Sequence, residues 1–152
     1  FDCIRAKVRQ FTIALQGDDM SIERSTEVMA TYLGEVLGNR RFELIPSFVD
    51  EEMLDHATGM RGPSALHAHA TGFCDNIPGV EIEIENITAT EDAAFGIWNW
   101  KGEPNQPMGT SSNGNPIFPQ RVLSVFRLRD GMLIDYEAFV DAGQVRAQIS
   151  AP

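Results

Sequence analysis

Cysteine is scarce in this 152-residue chain. Cys3 and Cys74 belong to no Cys-x-x-Cys or Cys/His spacing, so the sequence gives no support to a zinc site. A chain of this length also needs no disulfide to fold, which favours two reduced thiols in a cytoplasmic protein. We therefore predict no bound metal and a cytoplasmic location.

Positive charge and long apolar runs are scarce too. The 12 lysine and arginine residues are outnumbered by 22 aspartate and glutamate residues, which leaves a formal net charge of −10. Such a chain is poorly suited to nucleic acid or to an anionic membrane surface. No apolar run approaches the ~20 residues of a membrane helix, and no stretch has the pattern of a signal peptide. We expect neither nucleic acid nor a membrane as a partner.

The patterns that are present favour helices first and strands afterwards. This order is typical of an α+β fold with helices packed on one face of a curved sheet. Residues 1–19 precede Met20, which looks like an independent start, so we interpret them as an N-terminal extension with a short helix, and residues 20–152 as a single domain. The predicted helices cover 21–38, capped by Ser21, 42–49, 63–74, and 141–149, capped by Asp141. The other predicted elements are a strand or turn over 51–56, strands from 80 with a bulge at 86–87 and over 95–101, a loop over 103–116, and a hairpin over 121–141.

The hairpin is the clearest of these elements. Asp130-Gly131 between two β-branched and apolar runs predicts a two-residue type I′ turn. A regular ladder from that turn pairs Arg129 with Met132. Further along, the same ladder pairs Val125 with Tyr136, Leu123 with Ala138, and Arg121 with Val140, all on one face, with Asp135 and Glu137 on the other. A bulge in either strand would exchange these faces.

Several short motifs follow one another along residues 31–141. They are Thr31-Tyr32 with Glu35-Val36-Leu37, Phe48-Val49 with Asp55-His56, Gly62, Ile77-Pro78, residues 98–102, residues 126–131 and Val140-Asp141. In this order they resemble the SnoaL-like polyketide cyclases of the nuclear transport factor 2-like superfamily, whose fold limonene epoxide hydrolase and ketosteroid isomerase share. The resemblance implies a conical α+β barrel with a deep apolar pocket that binds a hydrophobic small molecule, and a homodimer formed through the outer face of the sheet. It does not imply one reaction, because this fold supports many activities.

The chain departs from its relatives at the position of their acid. The resemblance places the acidic residue of the last strand at Ala138, and the Arg and Asp of the epoxide hydrolase within residues 96–100, which contain neither. Epoxide hydrolysis is therefore disfavoured. An alignment error of one or two residues would bring Asp135 or Glu137 to the site.

Two residues are candidates for catalysis. Tyr136 could donate a hydrogen bond or a proton to a substrate oxygen, or be a core tyrosine. His56 could be an acid or base, or a turn residue. His67 and His69 suggest a metal site with His56, but residues i and i+2 of a helix point about 200° apart. The candidates for substrate binding are Tyr32, Trp98, Trp100, Arg121, Leu123, Val125 and Ala138. For Tyr32 and the two tryptophans the alternative is core packing, and for Arg121 it is a strand end in solvent.

Two functions fit these residues. The first is an isomerase or cyclase that acts without a cofactor on a hydrophobic carbonyl compound. The second is a non-catalytic ligand-binding or accessory protein of the same fold, which the alanine at position 138 favours. A carboxylate within reach of Tyr136 or His56 would favour the enzyme.

Overall fold

A computed structural model describes residues 19–152. The predicted extension over residues 1–19, with its short helix, lies outside the described residues except for the backbone of Asp19, so the domain boundary stays a prediction. In the described part of the chain, no helix is long and apolar enough to cross a membrane.

Helices come first and strands follow, as the sequence predicts. Helix α1 continues as a π-helix, and a 3-10 helix follows it before the first strand. The elements are α1 (Asp19–Ala30, then Thr31–Leu37 as the π-helix), the 3-10 helix Phe42–Ser47, β1 (Val49–Asp55), α2 (Pro63–Asn76), β2 (Glu81–Ala89), β3 (Ala93–Lys101), β4 (Gly109–Thr110), β5 (Pro116–Ile117), β6 (Arg121–Arg129), β7 (Met132–Val140) and α3 (Ala142–Ile149).

Five strands form one mixed sheet in the order β1-β7-β6-β3-β2. Strand β1 runs parallel to β7, and the other neighbours are antiparallel. The predicted bulge in β2 is confirmed, since its register with β3 shifts between Ile84 and Asn86. The core lies between one face of this sheet and helices α1 and α2, and the predicted α+β fold class is confirmed.

Helix α1 contacts the sheet directly at Gly96 of β3. A Cβ atom at this glycine would lie 2.9 Å from the sulfur of Met29 and 3.0 Å from Cδ1 of Leu33. The missing side chain therefore lets the helix approach the strand, which is a common use of glycine within a sheet. The approach places Tyr32, the neighbour of Leu33, against the inner face of the hairpin, 5.3 Å from the ring of Phe126.

The hairpin has the predicted turn but not the predicted register. Asp130 and Gly131 both have positive φ, at 51° and 76°, as a type I′ turn requires. Arg129 pairs with Met132 as predicted, but the register then shifts because β7 carries one extra residue between Leu133 and Asp135. A shift of one residue reverses which faces of the two strands match.

Beyond this bulge the observed pairs are Phe126 with Tyr136, Ser124 with Ala138 and Val122 with Val140. The predicted pairs Val125–Tyr136, Leu123–Ala138 and Arg121–Val140 are therefore wrong. Tyr136 and Ala138 share the inner face with the even-numbered residues of β6, while Arg121, Leu123 and Val125 lie on the outer face.

Local signals at helix ends had mixed success. Asp141 caps α3 as predicted, since its Oδ1 accepts a hydrogen bond of 3.0 Å from the backbone nitrogen of Gln144. Ser21 is not an N-cap, because α1 already includes Asp19. The segment predicted as a loop over residues 103–116 contains strand β4, which pairs with β5. Strands of two residues are too short to show a periodic pattern in the sequence.

Candidate active site

Three aromatic rings meet where α1 crosses the hairpin. The ring centroid of Tyr136 lies 5.7 Å from that of Tyr32 and 5.4 Å from that of Phe126, both in edge-on contact. Tyr136 and Tyr32 are 2% and 1% exposed. Buried tyrosine hydroxyls need hydrogen-bond partners, so the phenol groups decide what this cluster can do.

The hydroxyls of Tyr32 and Ser124 act on that of Tyr136 as hydrogen-bond donors, and their effect on the Tyr136 pKa is to lower it. Trp98 donates its indole N–H to Oγ of Ser124 over 3.0 Å. Since an indole is only a donor, Ser124 accepts from Trp98 and has its own proton to give to Tyr136. With Tyr32 and Ser124 as donors, the proton of Tyr136 is available to an incoming acceptor.

Both phenols stay protonated at neutral pH. Burial raises the pKa of Tyr136, although the bonds from Tyr32 and Ser124 act in the opposite direction. Burial also raises the pKa of Tyr32 well above its usual value, and the neighbouring Tyr136 adds to this shift. Tyr136 is therefore placed to donate a hydrogen bond to a substrate oxygen, as the donors of an oxyanion hole do.

A carboxylate and a histidine lie beside the phenols. Oδ2 of Asp55 is 2.8 Å from Nδ1 of His69, and Oδ1 accepts a bond of 2.9 Å from the backbone nitrogen of Ala57. The Asp55 side chain is fully buried, while that of His69 is 23% exposed. A carboxylate can only accept, so the proton between them sits on Nδ1. Nε2 of His69 is left as a basic nitrogen, and its ring lies 5.2 Å from that of Tyr136.

Strand pairing explains why Asp55 and Tyr136 share a site. The two residues are register partners in the parallel pair β1–β7. Side chains of partners in neighbouring strands point to the same face of a sheet, so both side chains point to the core. His69 reaches them from α2, where its spacing to Leu66, Ala70 and Phe73 puts it on the apolar helix face.

Sequence reasoning missed Asp55 and His69 as functional residues. The sequence places Asp55 only in the strand or turn over 51–56 and in the Asp55-His56 motif, and it suggests for His69 only a metal site that helix geometry argues against. The helical spacing of His69 among apolar residues of α2 was the available signal. Nothing in the sequence showed that Asp55 would be its partner, because that contact joins two elements 14 residues apart.

The other predicted catalytic residue lies on the opposite face of the sheet from Tyr136. His56 contacts Oδ2 of Asp135 through Nε2 at 2.8 Å and Oε1 of Glu137 through Nδ1 at 3.4 Å. The structure therefore does not bring His56 and Tyr136 into one site. Asp135 and Glu137 face outward as well, so neither supplies the acid that Ala138 lacks.

Among residues 20–152, the side chains of His56, Asp135 and Glu137 also lie close enough together to hold a metal ion. Both ring nitrogens of His56 already contact a carboxylate, and no further feature points to a cation. We assign no metal to them. His67, the third histidine, is exposed and contacts the ring of Phe42.

The remaining predicted binding residues divide between the two faces. Arg121 makes two bonds to the carboxylate of Glu85, at 3.0 and 2.9 Å, on the outer face. Trp98 and Trp100 are buried on the inner face, and Phe73 of α2 meets both indoles edge-on at 5.8 and 6.1 Å. Trp98 therefore links the apolar wall to the hydroxyl network through Ser124.

The inner face opens to solvent at the end of β7. Ala138 and Val140 follow Tyr136 on the same face, yet Ala138 is exposed and Val140 is 50% exposed. The partial exposure of His69 is consistent with an opening near this end. A small molecule entering here would meet Val140 and Ala138 before the polar groups of Tyr136 and His69.

Solved structures with this fold include enzymes of different activities. The fold is similar to that of a SnoaL-like polyketide cyclase from Agrobacterium tumefaciens C58 (17% identity, 82% of this chain and 96% of that one, TM-score 0.65). It is also similar to an LEH-like epoxide hydrolase from M. tuberculosis (16% identity, 85% and 88%, TM-score 0.56). A third similar structure is a Catenulispora acidiphila protein with a ketosteroid isomerase-like fold, in complex with trimethylamine (17% identity, 83% and 94%, TM-score 0.58).

These identities show the fold and no more, and no curated protein matches the chain significantly. A family model covers most of the described residues. The model of SnoaL-like polyketide cyclases matches residues 27–149, and the chain belongs to that family.

Proposed function

We propose that the protein is a cofactor-independent enzyme that moves a proton at the carbon next to the carbonyl group of a hydrophobic small molecule. The observation that carries this proposal is the meeting of a histidine nitrogen and a neutral, buried phenol on the inner face of the sheet, next to the exposed end of β7. His69 is held by a buried carboxylate 2.8 Å away, and its ring lies 5.2 Å from that of Tyr136. This pairing of a base with a hydrogen-bond donor suits formation of an enol or enolate.

In the proposed reaction, Nε2 of His69 takes the proton from the α-carbon. The electrons of the broken C–H bond form the C=C bond of the enolate, and the negative charge that develops on oxygen is met by the hydroxyl of Tyr136. Asp55 stabilises the imidazolium formed on His69. Return of the proton to another carbon gives an isomerisation. Attack of the enolate carbon on a second carbonyl group gives a cyclisation, after which the imidazolium protonates the new alkoxide.

The surroundings of these groups favour an apolar substrate. Trp98 and Phe73 form an aromatic wall beside the hydroxyl network, and Ala138 and Val140 line the opening. Aromatic and aliphatic walls with a few converging polar groups are typical of small-molecule sites. The family match supports a small-molecule ligand in the same way.

A non-catalytic ligand-binding protein is the second candidate. The alanine at position 138, where the resemblance places an acid, favours it. Epoxide hydrolysis has less support, because it needs a carboxylate that activates water, and both oxygens of Asp55 are already bonded to His69 and to the backbone of Ala57.

A deuterium-exchange experiment separates these candidates without the natural substrate. 2-Tetralone, a hydrophobic ketone with acidic α-protons, is incubated in D₂O with the protein, and loss of the α-proton signals is followed by NMR. We expect exchange above the buffer rate, retained in His67→Gln and lost in His69→Gln. Binding of the ketone without any protein-dependent exchange would favour the ligand-binding protein instead.

We also propose that two copies of the chain pair through the outer face of the sheet. Pairing between neighbouring strands brings apolar side chains together on this face. Phe95 pairs with Val125, and Leu123 pairs with Ile97 on one side and with Phe139 on the other. Phe95 and Phe139 are 38% and 51% exposed. Contiguous exposed apolar side chains rimmed by charge mark an interaction surface.

Phe139→Asp is expected to give a monomer, since it places a charge within this apolar surface of each copy. Light scattering at micromolar concentration measures the mass. Met108→Asp is the matched control, because Met108 is 42% exposed but lies in the loop before β4. A wild-type protein that is already monomeric at this concentration would contradict the dimer.

The proposed location is the cytoplasm. Cys74 is a free thiol buried in the core, which fits a reducing compartment. Fractionation of the source cells with a compartment marker would test this.

A further inference from the structure

The end of β1 that carries Asp55 is held to β7 by few main-chain contacts. Strand β1 lies at the edge of the sheet, and its register with β7 breaks between Val49 and Leu54. Leu54 and Asp55 then pair with Asp135 and Tyr136, and the backbone nitrogen of His56 donates to the carbonyl of Tyr136 over 3.0 Å. Beyond this point the chain turns away from β7. The backbone of Asp55 is bonded on its other side to Met60 and Gly59, over 3.0 and 2.7 Å. On the side of β7, the contacts at this end are completed by side chains.

The side chain of His56 provides such contacts on the outer face. Its two ring nitrogens contact the carboxylates of Asp135 and Glu137, which lie on either side of Tyr136 in β7. Asp55 and His56 are consecutive, so they point to opposite faces of the sheet. The outer contacts of His56 thus lie directly behind the inner contact between Asp55 and His69.

Protonation decides how many of these outer contacts exist. An imidazolium has an N–H on both nitrogens and can donate to both carboxylates, whereas a neutral imidazole has one N–H and turns a lone pair toward the other carboxylate. The hydrogen bond to Asp135 raises the pKa of His56, and the charges of Asp135, Glu137 and Asp55 raise it further against partial desolvation. The double contact is therefore complete below this raised pKa and is lost as the pH rises through it.

Other charges near the cluster come from the neighbouring strand. Arg127 of β6 is the register partner of Asp135, and the neighbouring register pair is Val125 with Glu137. The guanidinium of Arg127 is the positively charged group that β6 places next to Asp135. The charged groups that face the ring of His56 are thus Asp135 and Glu137 of β7, with Arg127 across from Asp135.

We propose that His56 is a positioning residue for the inner site, and that its doubly protonated ring holds the end of β1 so that Asp55 stays aligned with His69. The role in catalysis rests on the function proposed above, but the coupling between the two faces does not. Because a displacement of about 1 Å in a catalytic group can cost up to 10²-fold in rate, loss of the outer contact is expected to slow the reaction at high pH.

The test is an NMR titration of the histidine rings. The chain has three histidines, so a ¹⁵N-histidine-labelled sample gives few signals, which single substitutions assign. We expect the ring nitrogens of His69 to show, besides their own titration, a second inflection at the pKa of His56, above the usual value of about 6.5. In His56→Gln this second inflection is lost, and in His67→Gln it remains.

Glu137→Gln provides a second variant in case His56→Gln does not fold. It keeps the side-chain size and the bond to Asp135 but removes one of the two carboxylates, so the second inflection is expected to move to lower pH. Identical His69 titrations in the wild type and in both variants would overturn the proposal. So would a His56 pKa at or below its usual value.

Kinetics separate this inference from the proposed function. If 2-tetralone exchange is catalysed, His56→Gln is expected to lower kcat on the order of tenfold with little change in KM, and to remove the fall in rate at high pH. If no exchange is catalysed but the second inflection is present, the proposed function fails and the coupling stands. If exchange is catalysed and its pH profile is unchanged in His56→Gln, the positioning role is wrong.

Discussion

Tyr136→Phe is expected to lower the rate of α-proton exchange by about 10²- to 10³-fold, the usual cost of losing one donor to a developing oxyanion. The substitution removes one oxygen atom and keeps the ring, so the edge-on contacts with Tyr32 and Phe126 persist. Substrate binding, which depends mainly on the apolar walls, is expected to change little. The measurement is the exchange rate as a function of 2-tetralone concentration, which separates kcat from KM.

Tyr32→Phe is the matched control for this prediction. The hydroxyl of Tyr32 acts on Tyr136 as a hydrogen-bond donor, so its removal weakens the Tyr136 donor without deleting it. We expect a smaller loss of rate than for Tyr136→Phe and a similar melting temperature for both. Equal losses would mean that the two phenols act only as a structural pair.

Asp55→Asn is expected to lower the exchange rate by about 10²- to 10⁴-fold, the range of general base catalysis. A neutral amide cannot stabilise the imidazolium that His69 becomes after proton abstraction. Its NH₂ group can also donate to Nδ1, which favours the tautomer with the proton on Nε2 and removes the base. Because Asp55 is fully buried with two bonds, the free energy of unfolding is also expected to fall by about 1–3 kcal/mol.

Asp50→Asn on the same strand is the control. Asp50 is half-buried on β1 and contacts Arg129 at 3.8 Å on the outer side, far along the strand from Asp55. Its substitution is expected to leave the exchange rate unchanged. Urea unfolding and exchange are measured on both variants. A loss of stability in Asp55→Asn without a loss of exchange would assign Asp55 a structural role alone.

Local sequence signals predicted the elements of this fold well. Asp130-Gly131 predicted the turn, Asp141 the cap of α3, and the phase slip after Glu85 the bulge in β2. Each of these features depends on residues close together in the chain. The order of short motifs predicted the family, which the match over residues 27–149 confirms.

The site was predicted less well because it depends on register and on contacts between distant elements. One extra residue in β7 turned Leu123 and Val125 outward, and no pattern in the sequence marks that bulge. His56 and Asp55 differ by one position, and only the pairing of β1 with β7 decides which of them faces Tyr136. The inner face does contain a buried carboxylate, Asp55, which comes from β1 and not from the last strand.

A crystal structure with 2-naphthol bound tests the central claim most directly, because its hydroxyl and fused rings resemble the enol of 2-tetralone. The account predicts the naphthol oxygen within hydrogen-bond distance of the Tyr136 hydroxyl, the ring carbon next to it facing Nε2 of His69, and the rings against Trp98 and Phe73. An inner face filled by side chains, or 2-naphthol bound elsewhere with His69 and Tyr136 untouched, would contradict it.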